Sequence, residues 1–369
     1  MKVRKNPIET SLPTLQDVQY VTAIYQRLSG NSEAETLTNL LEWQERNIQY
    51  WKERYWAASG IMIFLIIIIF VLVTLFFSVI NVPYLSSLSK KAFLLFGLIS
   101  ILICTFLVVF LCFMLPYNYY NLVAQERQSP PKKLKKMFKL VYHTIKPSLP
   151  ISIILDYRLA VCRDYAKLTA ALLFNSYPEV YFLTLPNHVA VAVMINGKYY
   201  VLDQKLPIIS LDSWIKRWEW LLWALRLKNK LLLRRYIPEC SMYLVQFEKN
   251  LNGTILAKPT IREYIRYKVK TYEKDDIRTC IEKLEKLLIN KFGLNSVKAI
   301  SRKPDFTITL KNYGIYCEND EIILYSIARS IRNRIEAELS GGIKKLSGLR
   351  IFMKDDQDLL VEVYLKMQK

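Results

Sequence analysis

Two charge-free apolar runs constrain this chain more than any other feature: GIMIFLIIIIFVLVTLFFSVI (60–80) and AFLLFGLISILICTFLVVFLCFML (92–115). Each is long enough to cross a bilayer, which takes roughly 20 residues. Only NVPYLSSLSKK separates them, so the expectation is a transmembrane helical hairpin. Isoleucine-rich runs of this length with no polar face do not suit the core of a soluble domain. The first run follows a polar segment of about sixty residues, which does not fit a cleaved leader.

Lys and Arg near the spans set the expected orientation. Arg46, Lys52 and Arg54 precede the first span, while Arg127, Lys132, Lys133, Lys135, Lys136 and Lys139 follow the second. The short connection carries only Lys90 and Lys91. Both termini are therefore expected on the cytoplasmic side of a cell membrane, crossed twice. The lysines of QSPPKKLKK (128–136) suit an anionic inner leaflet and equally a solvated linker.

The formal charge of +20, from 52 Lys and Arg against 32 Asp and Glu, raises the question of nucleic acid. With 52% hydrophobic residues and the basic cluster beside the spans, anionic lipid is the simpler partner. No nucleic-acid partner is expected. Six cysteines (Cys104, Cys112, Cys162, Cys240, Cys280 and Cys317) show no CxxC or ligand-like spacing. A disulfide framework does not follow from them, nor does a metal site or an organic cofactor. Histidine is confined to His143 and His188, so a mechanism that needs an imidazole has two candidates.

Five segments are expected along the chain: an N-terminal helical part (1–58), the two spans (59–116), a basic linker (117–136), a mixed domain (137–258) and a small α+β domain (259–369). The second N-terminal helix is expected to continue through EAETLTNLLEWQERNIQYWKERYW toward the membrane, with Trp43, Trp51 and Trp56 near the headgroups. The mixed domain reads as a helix from Cys162, strands VYFLTL, VAVAVMI and KYYVLD, a Trp-rich helix, then strands SMYLVQF and TILAKPT. The Trp-rich helix (212–235) could lie on anionic lipid; packing its Trp face on the mixed domain fits better. In the last segment KDDIRTCIEKLEKLLINKFG is an amphipathic helix, DFTITL and YGIYC alternate as strands do, and Ile323, Ile327, Ile331, Ile335 and Leu339 recur at helical spacing. LRIFMKDDQDLLVEVYL reads as a β-hairpin.

Chemistry concentrates in two places. In YRLAVCRDYAKLTAALLF the apolar positions Leu168, Ala171 and Leu172 place Cys162 in the first turn of a helix. Unpaired N–H groups and a partial positive charge there favour a thiolate and can receive an oxyanion. Arg163 adds positive charge, and Asp164 suits a capping or dipole partner. His143, in a basic amphipathic stretch, reads as structural. The second place is LPNHVAVAVMINGKYYVLDQKLP, where Asn196-Gly197 signals a two-residue hairpin loop. Numbers paired across such a hairpin sum to 393. His188 and Asp203 then become diagonal neighbours on one face, roughly 7–8 Å apart at the backbone. A carboxylate beside an imidazole holds its tautomer and leaves the other nitrogen for a thiol.

Cysteine at a helix start, then histidine and aspartate on successive strands, is similar to the transglutaminase-like (papain-like cysteine protease) superfamily. AVCRDYAKLTAALL, NHVAVAV and GKYYVLDQKLPI resemble its three motif blocks. The likeness covers about residues 150–210 and extends toward 258. It implies an α+β transglutaminase-like fold, here preceded by the transmembrane hairpin and followed by the small α+β domain. By resemblance Cys162 is the nucleophile, His188 the general base and acid, and Asp203 the residue that orients it. The chain departs from the family in lacking a glycine near Ala160 and Val161 and an aromatic residue shortly after the histidine. The implied activity is acyl transfer from an amide of a peptide or protein, with hydrolysis favoured over transglutamination. The alternative is a non-catalytic peptide- or protein-binding module at the membrane.

Overall fold

The computed structural model describes residues 11–51, 148–185, 188–231, 241–249, 255–264, 274–292, 303–316, 318–339, 346–354 and 358–365, with isolated positions Ile8, Arg54, Gly97, Thr105 and His143. The two apolar runs and the basic linker lie outside the described residues, apart from Gly97 and Thr105. Among the described residues no helix is long and apolar enough to cross a membrane. The chain divides into two compact units, one of Met1–Gln49, Pro150–Ser152 and Cys162–Lys369, the other of Tyr50–Leu149 and Ile153–Val161.

The elements run in the order α1 (Leu15–Leu28), α2 (Glu33–Asn47), β1 (Gln49–Tyr50), α3 (Ile151–Tyr157), β2 (Leu159–Ala160), α4 (Cys162–Leu173), β3 (Val180–Leu185), β4 (His188–Ile195), β5 (Lys198–Leu202) and β6 (Ile209–Ser210). They continue with α5 (Leu211–Leu231), β7 (Ser241–Lys249), β8 (Ile255–Tyr264), α6 (Lys274–Phe292), β9 (Phe306–Leu310), α7 (Glu321–Leu339), β10 (Leu346–Lys354) and β11 (Asp358–Leu365).

Thr14 opens α1 with a reciprocal capping box to Asp17, and Ser32 caps α2 through the N–H of Glu35. The expected continuation of α2 to Trp56 is corrected. The helix stops at Asn47, because Ile48 takes extended angles (φ −121°, ψ 123°) and its carbonyl accepts the Tyr165 hydroxyl at 2.5 Å. Trp51 is buried rather than displayed, at 2% exposure, with the Arg54 guanidinium 5.7 Å from its ring centre. In the same unit the Trp51 N–H donates to the Ala160 carbonyl at 2.8 Å.

The larger unit is built on a six-stranded antiparallel sheet in the order β6-β5-β4-β3-β7-β8. Its central strand β4 is buried at every position except Met194. Such burial on both faces explains why HVAVAVMI reads as an apolar run instead of a clean alternation. Helix α4 buries Leu168, Ala171 and Leu172 completely. Its other side meets α2, where Gln44 and Thr169 exchange hydrogen bonds of 2.8 and 3.1 Å, and α1, where Lys167 pairs with Asp17 at 3.3 Å.

A second antiparallel sheet, in the order β10-β11-β9, follows in the same unit. YGIYC, expected as a strand, is a 3₁₀ turn over Tyr313–Tyr316. Tyr313 and Tyr316, both buried, are three apart, which is the 3₁₀ repeat, and their rings meet edge to face at 5.7 Å. Asn312, at φ +61°, turns the chain into it.

Candidate active site

Cys162 is the first residue of α4, as its position ahead of the apolar stripe requires, and is 3% exposed. Asp164 lies in the same turn, fully buried. His143 is also buried. Asn196 and Gly197 form the β4–β5 loop with φ of +50° and +75°, the left-handed geometry of a type I′ turn. Val191 pairs with Leu202 and Ile195 with Lys198, the register that the two-residue loop dictates. The ladder ends there, and Asp203 lies one residue beyond it.

His188 Nε2 meets Asp203 Oδ2 at 2.9 Å and Oδ1 at 3.1 Å. Both side chains are nearly dry, at 10% and 12% exposure. With Nε2 engaged by the carboxylate, Nδ1 is the nitrogen left for sulfur, and the imidazole hydrogen-bonds the Cys162 side chain. The structure thus brings all three of Cys162, His188 and Asp203 together.

Burial works against the charged imidazolium, yet the hydrogen bonds to Asp203 and Cys162 and their negative charge outweigh it. They raise His188 from its ordinary 6.5 to about 9. Asp203 feels the converse balance: burial pushes its carboxyl up, while the His188 hydrogen bond and charge, the Trp214 N–H and the Arg217 charge hold it below the usual range. Among the described residues no three His, Cys, Asp or Glu side chains converge as metal ligands.

Two tryptophans of α5 complete the site. Trp214, with no exposed surface, donates its indole N–H to Asp203 Oδ2 at 3.1 Å, and its ring stacks at 6.1 Å on His188. Trp218 lies closer, with ring centres 4.6 Å apart and planes tilted by 34°. An aromatic face favours a cation, so both rings support the protonated imidazole while keeping water off it. Packing on the mixed domain is therefore what these two residues do. Further along α5, Trp223 and Leu227 are 59% and 44% exposed. The sequence reading missed these partners of the histidine. Their four-residue spacing, which puts both on one helix face, was the available signal.

A dry Cys–His–Asp array with the thiol at a helix N-terminus can open an acyl compound through sulfur and return a proton to the leaving group. No solved structure matches the chain. A UPF0252 protein of Methanocaldococcus jannaschii is 28% identical, the alignment covering all of this chain and 98% of that protein. A UPF0252 protein of Pyrococcus horikoshii is 27% identical over 56% of this chain and 67% of its own length. One from Archaeoglobus fulgidus is 36% identical over a shorter stretch, 16% of this chain and 21% of that protein. The sequence profile described as a transglutaminase-like domain (DUF553) matches residues 19–229, more than half the chain and a range within which Cys162, His188 and Asp203 lie, and the protein belongs to that family.

Proposed function

We propose that this protein is a thiol hydrolase acting on amide or peptide bonds, with Cys162 as nucleophile, His188 as base and acid, and Asp203 orienting the imidazole. One observation carries the reading: a single imidazole bonds Asp203 at 2.9 Å on one side and the Cys162 side chain on the other, at the head of α4. The Cys162 thiolate attacks the amide carbonyl, and the N–H groups of the first turn of α4 receive the oxyanion. As the carbon–nitrogen bond breaks, the His188 imidazolium gives its proton to the departing amine, leaving a thioester. His188, now neutral, takes a proton from water as the water oxygen attacks the thioester. The carbon–sulfur bond breaks, the carboxylic acid leaves and the thiolate–imidazolium pair is restored. An amine in place of water would make the step a transamidation.

The apolar runs at 60–80 and 92–115 support a two-span anchor, and the Lys and Arg distribution supports a cytoplasmic catalytic domain with the basic linker against anionic lipid. A peptide or protein substrate near the membrane suits that placement. Alkylation of Cys162 by iodoacetamide against pH, followed by peptide mapping, tests the central claim. Reactivity that persists well below pH 8 in the native chain and disappears in His188→Ala supports an imidazole-activated thiolate. Ordinary thiol behaviour in both proteins would leave a binding module as the better description.

A further inference from the structure

Asp203 lies one residue past the β4–β5 ladder, while His188 is held by its pair with Leu185 of β3, so the carboxylate has no strand pair of its own. The ties around it come from far along the chain. Five residues after Asp203, the Ile208 N–H donates to the Ser326 Oγ at 3.0 Å, and that hydroxyl donates to the Ile323 carbonyl at 2.8 Å. Ser326 and Ile208 are both fully buried. At the root of α5, which delivers the Trp214 N–H to Asp203, Glu318 accepts from the hydroxyls of Ser210 and of Ser213, the latter at 2.9 Å. Asp320 opens α7: its Oδ1 accepts the N–H of Ile322 at 3.1 Å, while its Oδ2 accepts the Tyr200 hydroxyl of β5 at 2.8 Å. β5, the end of the loop after Asp203 and the start of α5 are thereby each fastened to one short stretch, 318–326, while Leu206 within that loop donates its N–H to Glu45 of α2 at 3.3 Å. That stretch lies beyond the end of the matched family profile at 229.

We infer that Ser326 and Glu318 are positioning residues for Asp203, so that the segment after residue 259 forms part of the working site and is not an appended domain. The inference rests on the triad reading given above. The geometry makes the division of labour specific. Ser326 fixes Ile208 at the end of the loop that follows the carboxylate, and Glu318 fixes the start of the helix whose Trp214 holds one of its oxygens. A small displacement of Asp203 lets the imidazole rotate away from sulfur, and about 1 Å of misplacement at a reacting group can cost roughly a hundredfold.

The test measures the rate of Cys162 alkylation by iodoacetamide across pH on the full chain in detergent micelles, read by peptide mapping so that the other thiols do not contribute. Ser326→Ala is expected to lower the rate at about pH 6 by roughly tenfold and to move the profile toward that of Asp203→Asn. Added to Asp203→Asn, it is expected to change nothing further, because a positioning residue has no effect once the group it positions is neutralised. Glu318→Gln keeps the accepting oxygen and should retain the native profile, while Glu318→Ala should lose low-pH reactivity. The Glu318 pair decides the matter if Ser326→Ala does not fold. Native profiles in Ser326→Ala and Glu318→Ala overturn the inference. So do equal losses in the native and Asp203→Asn backgrounds, which mark general loosening. A native profile in His188→Ala is a separate result: it removes the triad itself, and the inference with it.

Discussion

Two β-hairpins in this molecule look alike in sequence and differ in what they can hold. β4–β5 closes through Asn196-Gly197 in the interior of a six-stranded sheet, and β4 is buried along nearly its whole length. β10–β11 belongs to a three-stranded sheet, and along β11 Leu359, Val361 and Val363 are fully buried while Leu360 and Glu362 are half-buried. A strand covered on both faces can carry polar groups only where they satisfy each other, because an unpaired buried charge is costly. His188 and Asp203 meet that condition with 2.9 Å between them. The C-terminal hairpin, half-buried on one face, has no such enclosure. Chemistry follows enclosure here, not strand pattern.

The largest way to break this contrast is to remove the polar pair. Asp203→Asn should lower turnover of an amide substrate by roughly 10⁴-fold, since it favours the wrong imidazole tautomer, and His188→Ala should do at least as much. Steady-state kinetics with retained secondary structure would check both. Trp214→Phe keeps the stacked ring but deletes the N–H to Asp203. A loss of roughly tenfold in kcat, with little change in KM, is expected. In the native protein the basic limb of the kcat/KM profile should fall near pH 9, where His188 loses its proton.

The stability arms sharpen the contrast. Leu359→Ala, at a fully buried position of β11, should cost about 2–5 kcal/mol in denaturant unfolding and leave the pH profile of Cys162 unchanged. An altered profile would show that the C-terminal hairpin reaches the site directly. Because His188 is raised from 6.5 to about 9, its charge stabilises the fold fully below about pH 6.5. The contribution disappears as pH rises through about 9. The fall in Tm between pH 6 and pH 10 should therefore be smaller in His188→Gln. Gly197→Ala is the mildest change. A Cβ there meets nothing within 4 Å, but the φ of +75° is strained for alanine and should cost about 1 kcal/mol.

Much of this was legible because the determinants are local. The Asn196-Gly197 loop fixes the β4–β5 register, the register brings His188 near Asp203, and the apolar stripe behind Cys162 puts the thiol at a helix start. Where local pattern is degenerate the reading failed. Tyr313 and Tyr316 fit a strand in composition, yet bury together as a 3₁₀ turn. The end of α2 was misplaced because the acceptor role of the Ile48 carbonyl depends on Tyr165, more than a hundred residues later. The ties of Ser326 and Glu318 to the Asp203 loop belong to the same class, since no short-range signal encodes a bond across so much chain.

The site of Asp203, one step past the last β4–β5 pair, has an evolutionary consequence. A residue inside the ladder is bound to register, and one inserted or deleted position turns its side chain to the opposite face. Asp203 makes no pair in that ladder, and only its link to Leu202 carries the register to it. Changes in length or composition over 204–208 re-aim the carboxylate while every strand pair of the central hairpin stays intact. The acid partner of the imidazole is thus the member of the array that changes in a loop can re-aim, whereas the cysteine is held by a helix start and the histidine by a strand pair.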